Sequence, residues 1–375
     1  MTLLTTRLAQ PPALPCDGAR ATSTPLYQTA TFAQHPDGDS RWDYSRSGNP
    51  TRDVLEVQLA ALEGARHALA CSSGVAALSA VLRLAHRGDH VIVGDDLYGG
   101  TCRLLRLLAE DHGVEISRAP LHEPGALRAA LRGNTRLVLA ESVTNPFLRV
   151  VDVGALATDL RGRDVLLAID NTMRTPLALR PLAHGADLAI QSATKLLNGH
   201  GDVTAGVVAT DDDALADSLA FRRNAEGTTL APFEAWLLTR GLQTLPLRLR
   251  AQVAGARQVA AALPGLPGVT RVITPDDGSD VVVITLEVED EAAARALLER
   301  TRLFRTTVSF GGVGSSISTP ATMSHASMTV GERAAAGITP TLVRLSIGIE
   351  DPADLLADLE GALAAGRRCA VAGLT

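Results

Sequence analysis

Of the 35 lysines and arginines in this 375-residue chain, one alone is a lysine, Lys195. Arginine stays protonated at any physiological pH, whereas the surroundings of a lysine can neutralise it. A neutral amine is a nucleophile and forms Schiff bases with aldehydes. Lys195 stands in SATKLLNGH (192–200), directly after the apolar run DLAIQS (187–192), and a second run, DVLLAID (164–170), ends in Asp170. Short apolar runs of this kind predict strands, and the ligands of open α/β sheets sit beyond the carboxyl ends of strands. Two strand ends therefore offer a carboxylate on Asp170, hydroxyls on Ser192 and Thr194, and the single amine.

That set matches what pyridoxal phosphate requires: a lysine to hold the aldehyde and an acid to pair with the pyridinium nitrogen. The charge of Asp170 would keep that nitrogen protonated and make the ring an electron sink, while Ser192 and Thr194 could donate to phosphate oxygens. SSG (72–74) opens a predicted helix, so the backbone N–H groups of Gly74 and Val75 are further phosphate donors, although most such triplets are ordinary helix caps. Ser192-Ala-Thr-Lys195 also satisfies S-x-x-K, the serine-nucleophile signature of β-lactamases and penicillin-binding proteins. That rival needs a K-T-G element, which a chain with one lysine cannot supply, and no S-D-N occurs. GGVGSS (311–316) has no strand–helix frame for a dinucleotide and reads as a loop. His184 and His200 lack metal-ligand spacing, and His200 is read as a structural hydrogen-bonding residue.

The rest of the chain must hold these groups in place. Hydrophobic residues make up 46% and charged residues 20%, which marks a globular chain, and its length suits two domains. Residues 1–50 are rich in Thr, Pro, Asp and Gly and read as an extended arm. From Pro50 the apolar spacing turns helical up to Gly64, and SSGVAALSAVLRLAHRGD predicts a second helix. Apolar runs at 90–95, 135–142, 164–170, 187–192 and 205–210, mostly separated by helical stretches, argue for a largely parallel sheet. A long helical stretch over 231–263 ends at LPGLPGV (263–269). Beyond it come a strand at 280–288, a helix at 291–300 and a closing helix from Pro352 to about Ala365, a smaller α/β domain. Net charge is −6 without a basic run, which excludes nucleic acid as an expected partner. Cys16, Cys71, Cys102 and Cys369 form no CxxC pair, fitting reduced thiols rather than a disulfide or zinc framework. The N-terminus lacks a signal-peptide core, and no apolar run approaches the roughly 20 residues of a membrane helix. A cytoplasmic protein without membrane contact is expected.

With these residues in view, the chain resembles the pyridoxal-phosphate enzymes of Cys/Met metabolism: cystathionine γ-synthase, cystathionine γ-lyase, cystathionine β-lyase and methionine γ-lyase. The resemblance runs from about Thr24 to Asp358. It is carried by YSRSGNPT (44–51), SSGVAAL (72–78), GDDLYGGT (94–101), ESVTNP (141–146), AIDNTMRTP (168–176), GADLAIQSATKLLNGHGDVTAG (185–206), LLTRGLQTL (237–245) and LVRLSIGIED (342–351). It implies the α/β fold of the PLP-dependent transferases (aspartate aminotransferase-like, fold type I), with a large mostly parallel-sheet domain and a smaller C-terminal α/β domain. The corresponding division is an arm at 1–50 that contributes to a neighbouring subunit's site, a cofactor domain at 51–250 and a C-terminal domain at 251–375. The resemblance implies that Lys195 holds the cofactor as a Schiff base and then shuttles protons, and that Asp170 pairs with the pyridinium nitrogen. Tyr98 would stack on the ring and assist proton transfer. Gly74, Val75, Ser192 and Thr194 would bind the phosphate, with Tyr44 and Arg46 reaching in from the neighbouring subunit. Asn145, Ser309 and Arg344 would lie near the substrate, Arg344 gripping its α-carboxylate through a planar fork suited to that task. No metal is implied. The expected assembly is a homo-oligomer, a dimer as the active unit and a tetramer overall.

The activity so implied is γ-elimination or γ-replacement on an L-amino acid, first of all a sulfur amino acid of trans-sulfuration. Methionine γ-lyase-like chemistry, a γ-lyase with a non-thiol leaving group and a β-lyase are the alternatives. A catalytically silent homologue is the reading from another class, and retention of the cofactor positions argues against it. Departures from the family pattern bear on the substrate. Val308 stands where cystathionine-cleaving members carry an acid, Gly100 where methionine γ-lyase carries a cysteine, Gly314 where a glutamate is usual and Leu196 where a tyrosine is usual.

Overall fold

Asn49 accepts a hydrogen bond from the Thr51 amide and Pro50 supplies the first helical residue, so the first long helix, Pro50–Glu63, starts where its sequence dictates. The structure, a computed structural model, describes residues 3–13, 21–34, 36–38, 40–324, 326 and 328–372, so Cys16 lies outside the described residues. The chain divides into two compact units. The first comprises Met1–Asp95, Leu104–Ser142 and Val151–Pro246, and the second Asp96–Arg103, Val143–Val150 and Leu247–Thr375.

In the first unit, seven strands among the described residues form one sheet: β1 (His67–Cys71), β2 (His90–Gly94), β3 (Glu115–Ala119), β4 (Thr135–Glu141), β5 (Leu166–Asp170), β6 (Leu188–Gln191) and β7 (Gly206–Thr210). Their order is β1-β7-β6-β5-β4-β2-β3. The pairs β2/β3, β2/β4, β4/β5 and β5/β6 are parallel, whereas β7 runs antiparallel to both β6 and β1. Central strands such as HVIVG are buried along their whole length, as a sheet covered on both faces requires. One side packs Ile92, Val138, Leu167 and Ile169 against Leu127, Val153, Leu156 and Leu160.

The second unit holds β8 (Val269–Ile273), β9 (Val283–Val288), β10 (Arg305–Thr306), β11 (Ser316–Ser318) and β12 (Leu342–Ser346), in the order β10-β11-β12-β9-β8. Ile284, Leu286, Val343 and Leu345 from this sheet pack with Val259, Leu263, Leu297, Leu355 and Leu359.

Several elements differ from the sequence expectation. The arm contains a helix, Leu4–Ala9, whose Leu8 side chain is buried and whose Leu8 carbonyl accepts from Gln58 Nε2 at 2.9 Å. The helix begun at Gly74 stops at Leu82, because Leu84 and Ala85 donate three residues back in a tighter turn. The stretch over 231–263 is two helices, Pro232–Gln243 and Leu245–Ala262, broken at Thr244 just before Pro246, which has no N–H to continue the first helix. The closing helix reaches Ala372, and the strand expected from 280 begins at Val283. Among the described residues no helix is long and apolar enough to cross a membrane.

Candidate functional site

In the first unit, β4, β5 and β6 run side by side and end level, with Glu141 opposite Asp170 and Asp170 opposite Ile190. The Asn171 amide extends the ladder to the Ile190 carbonyl at 2.9 Å, and Ser142 Oγ donates to Asn171 Oδ1 at 2.8 Å. Asp170 Oδ1 accepts from both the amide and the hydroxyl of Thr172. The Thr172 Oγ in turn accepts from the Ser192 amide at 2.7 Å. Thr172 thereby ties the carboxylate at the end of β5 to the first residue after β6.

Burial pushes the Asp170 carboxyl above the usual carboxylate range, while the two Thr172 bonds and the charge of Lys195 pull it back. Lys195 itself is half-buried in the 14-residue connection between β6 and β7. Its amide donates to the Ser192 carbonyl at 3.1 Å and its carbonyl accepts from Gly199 at 2.8 Å, so the lysine sits in a closed turn. Leu196 and Leu197 anchor that turn in the core, and His200 Nδ1 donates to the Asn198 carbonyl at 2.7 Å.

The helix Gly74–Leu82 begins beside this turn. Ser73 caps it by accepting from the Ala76 amide at 3.0 Å, which leaves the Gly74 and Val75 amides pointing out of the first turn. A β-carbon on Gly74 would lie 2.7 Å from Ser192 Cβ, and one on Gly206 would lie 2.1 Å from the Ser73 carbonyl oxygen. The two glycines thus let the helix start close in against the residue before the lysine turn. Thr194 behaves differently from Ser192: its hydroxyl donates to the Ala205 carbonyl at 3.2 Å and accepts from the Ala205 amide at 2.9 Å. Its one proton is engaged within the chain. Tyr44 and Arg46 are exposed, with the Arg46 guanidinium 5.1 Å from the Tyr44 ring centre and its Nε donating to Asn224 Oδ1 at 3.0 Å.

In the second unit, Arg344 on β12 is 3% exposed. Its Nη1 donates to Asn145 Oδ1 at 3.1 Å and its Nη2 to the Ser309 carbonyl at 2.9 Å, with the Phe310 ring centre 5.7 Å away. Burial lowers this guanidinium to about 10, and the nearby Tyr98 phenol opposes that shift. No carboxylate among the described residues pairs with it. Tyr98 is partly exposed, and its ring lies over Gly100, where a β-carbon would fall 2.3 Å from Tyr98 Cε1. The structure thus brings Asp170, Ser192, Lys195 and Gly74 together in one unit, and Tyr98, Asn145, Ser309 and Arg344 together in the other.

The first of these groups fits pyridoxal phosphate. Both Thr172 bonds go to Oδ1 of Asp170, which leaves Oδ2 for a ring N–H, and the Gly74 approach to Ser192 forms a cradle that a side chain would fill. Thr172 is the residue that sequence reasoning did not single out. The signal was present, since Asp-x-Thr is the spacing of an Asx turn in which the acid accepts from the amide two residues on.

Comparison with known proteins points the same way. Residues 6–364 match the family described as Cys/Met metabolism PLP-dependent enzyme. A chloroplastic cystathionine beta-lyase of Mimosa pudica is 42% identical over 366 residues, covering 93% of this chain and 80% of that protein. A cystathionine beta-lyase of Schizosaccharomyces pombe is 41% identical over 363 residues, covering 93% of each. Among solved structures, cystathionine gamma synthase of Xanthomonas oryzae pv. oryzae in complex with cystathionine superposes with a TM-score of 0.94 at 36% identity, covering 98% of this chain and 99% of that one.

Proposed function

From the premise that the chain belongs to the family of Cys/Met metabolism PLP-dependent enzymes, we propose that it is a carbon–sulfur lyase that cleaves L-cystathionine or a kindred thioether amino acid on the β side. Its fold is that of the PLP-dependent transferases of fold type I, a mixed, mostly parallel sheet with a second, smaller sheet unit. The observation that carries the reading is the Asp170–Thr172–Ser192 chain of hydrogen bonds at adjoining strand ends, next to the chain's one lysine. The β side is supported by the names of relatives at 41–42% identity.

Bound at these residues, pyridoxal 5'-phosphate supplies an electron sink for the bonds around the substrate's α-carbon. Lys195 Nζ would hold the cofactor's aldehyde and, when not holding it, would take the substrate's α-proton. Asp170 keeps a proton on the ring nitrogen by charge. Gly74, Val75 and Ser192 hold the phosphate at a helix N-terminus, where backbone N–H groups and the dipole favour anions. Thr194 contributes there as an acceptor-engaged hydroxyl that fixes the lysine turn. Tyr98 would stack on the ring and give its phenol proton to the sulfur as the Cβ–S bond breaks, and the proton held on Lys195 would replace it. Arg344, a buried cation whose hydrogen-bond partners among the described residues are neutral oxygens, would take the substrate α-carboxylate, with Asn145 and Ser309 fixing its plane. Tyr44 and Arg46 serve the site of a second copy of the chain, so the working unit is a dimer with the arm at 1–50, a cofactor domain at 51–250 and a C-terminal domain at 251–375.

The test is product analysis with L-cystathionine. Cleavage on the β side releases pyruvate, ammonia and homocysteine, whereas cleavage on the γ side releases 2-oxobutanoate, ammonia and cysteine. Homocysteine and pyruvate in equal amounts support the proposal. Cysteine with 2-oxobutanoate would transfer the same machinery to the γ side, and absence of both pairs would overturn the substrate.

A further inference from the structure

Ser309 has a backbone φ of 84°, in the left-handed region that a residue with a β-carbon adopts only when its surroundings enforce it. Its carbonyl is the acceptor that fixes Arg344 Nη2. Hydrogen bonds on both sides of this turn hold it in that conformation. Gln252, on the helix Leu245–Ala262 and 0% exposed, donates through one Nε2 to the Gly312 carbonyl at 2.8 Å and to the Ile347 carbonyl at 3.2 Å. Glu350 accepts from the Ser315 amide at 2.7 Å through Oε1 and from the Ser315 hydroxyl at 2.9 Å through Oε2. The same hydroxyl accepts from the Gly348 amide at 2.9 Å. The Gly311 amide donates to Ser346 Oγ, and the Ile349 amide to the Val313 carbonyl, each at 2.9 Å. The approach is so close that a β-carbon on Gly348 would lie 2.3 Å from the Val313 oxygen.

These bonds zip the turn 309–315 to residues 346–350, the segment that follows Arg344 out of β12. We propose that Gln252 and Glu350 are positioning residues that orient the Arg344 fork for an α-carboxylate by locking the turn that carries Ser309; this rests on the role given to Arg344 above. Arg344 has two anchors, Asn145 and the Ser309 carbonyl. Loss of the second lets the guanidinium plane rotate, and a rotated fork cannot meet both carboxylate oxygens at once. Neither Gln252 nor Glu350 need touch substrate for this to hold.

The experiment compares the cofactor-loaded parent enzyme with Gln252→Met, Glu350→Ala and Glu350→Gln. Steady-state kinetics with L-cystathionine should give a KM raised about 10- to 100-fold in the first two, the size expected for one charge-assisted hydrogen bond, with kcat within about threefold. Glu350→Gln keeps an acceptor for the Ser315 amide and should return KM to within about threefold of the parent. A second readout is competitive inhibition by L-norleucine, which carries no leaving group, against L-norleucinamide, which lacks the carboxylate. The parent should favour the acid, and Gln252→Met and Glu350→Ala should lose that preference. A merely structural role would weaken acid and amide alike, and that result overturns the proposal. A parent without any preference for the acid would overturn the role of Arg344 itself, and this inference with it. Should Gln252→Met fail to fold, Ser346→Ala removes one acceptor from the same zipper and must show the same loss of preference in milder form.

Discussion

At the scale of single residues, Asp170 and Arg344 are opposites that share one cause. Burial drives the carboxyl of Asp170 up and the guanidinium of Arg344 down, toward the neutral form in each case. A buried charge that persists needs a counter-charge or donors, and the chain supplies each only in part. For Asp170 the missing donor is a ring N–H, and Asp170→Asn should weaken cofactor retention by about 10- to 100-fold, since a charged hydrogen bond is worth about 1.5–3 kcal/mol. Equilibrium dialysis followed by the visible absorbance of the bound cofactor measures this; unchanged retention would remove Asp170 from the site. Thr172 gives a pH test. Its hydrogen bonds lower the Asp170 carboxyl, so Thr172→Val, which deletes the hydroxyl, raises it further. A carboxylate with a higher pKa takes up its proton at higher pH, so the acid limb of the kcat/KM profile should move to higher pH in the variant. A limb that stays put or moves to lower pH would show that Asp170 does not govern it. Lys195 and Asp170 were legible from residue type alone, because amine and acid at two strand ends are rare company. Thr172 was not, since its part lies in joining two strands about 20 residues apart, and only register shows which hydroxyl meets which amide.

At the scale of elements, the five inner strands β2, β4, β5, β6 and β7 were legible as apolar runs, but the two edge strands were not. HALAC (β1) is five residues of mixed character and EISRA (β3) alternates weakly at the sheet edge, so neither stands out from the helices around it. The antiparallel course of β7 is equally silent in the sequence, yet it sets Gly206 opposite Cys71 and against Ser73. Because the obstacle at Gly206 is backbone, Gly206→Ala should cost about 1–3 kcal/mol as an overpacking change. The start of the helix Gly74–Leu82 must shift with it, so thermal melting should show a lower Tm and phosphate titration of the cofactor-free protein a weaker affinity. A full Tm with unaltered phosphate binding would disprove the close fit. The helix Pro50–Glu63 carries a second dependence. Glu63, at its last turn, is buried and its carboxyl is pushed up to about 8, chiefly by burial, while the bond from Gln191 Nε2 at 2.9 Å opposes the rise. Between an unfolded value near 4.5 and about 8 the folded chain binds the extra proton, so Glu63 favours folding below that window. Stability from this group then falls as pH rises through it, by at most about 1.4 kcal/mol per pH unit. Glu63→Gln keeps the shape and stays neutral, and should flatten the decline in denaturant midpoint between pH 5 and pH 8. An unchanged decline would assign it elsewhere.

At the scale of the whole molecule, composition places the later break at LPGLPGV (263–269), while the folded chain begins the last segment of its second unit at Leu247 and also groups 96–103 and 143–150 with it. Those segments carry Tyr98 and Asn145, and nothing local marks them, because their company is chosen by strand order. The arm poses the same problem in a sharper form. Tyr44 and Arg46 lie on the surface of the single chain, far in sequence from Lys195, and Arg46 is held by Asn224 of its own chain. If they serve a second copy, each site draws Lys195 from one protomer and Arg46 from the other. Two variants, Lys195→Ala and Arg46→Ala, should then each be inactive or nearly so as pure proteins. Unfolded together and refolded as a mixture, they pair at random, and half of the dimers are mixed. In a mixed dimer one site combines both lesions, and the other has an intact lysine and an intact arginine. One restored site in half of the dimers gives about a quarter of parental activity, a consequence of two-fold symmetry alone. If Arg46 acted on its own protomer's lysine, every site in every dimer would carry one lesion and the mixture would stay as inactive as its parts. Refolded Lys195→Ala mixed with the double variant supplies the control, since no pairing of those two chains contains an intact lysine.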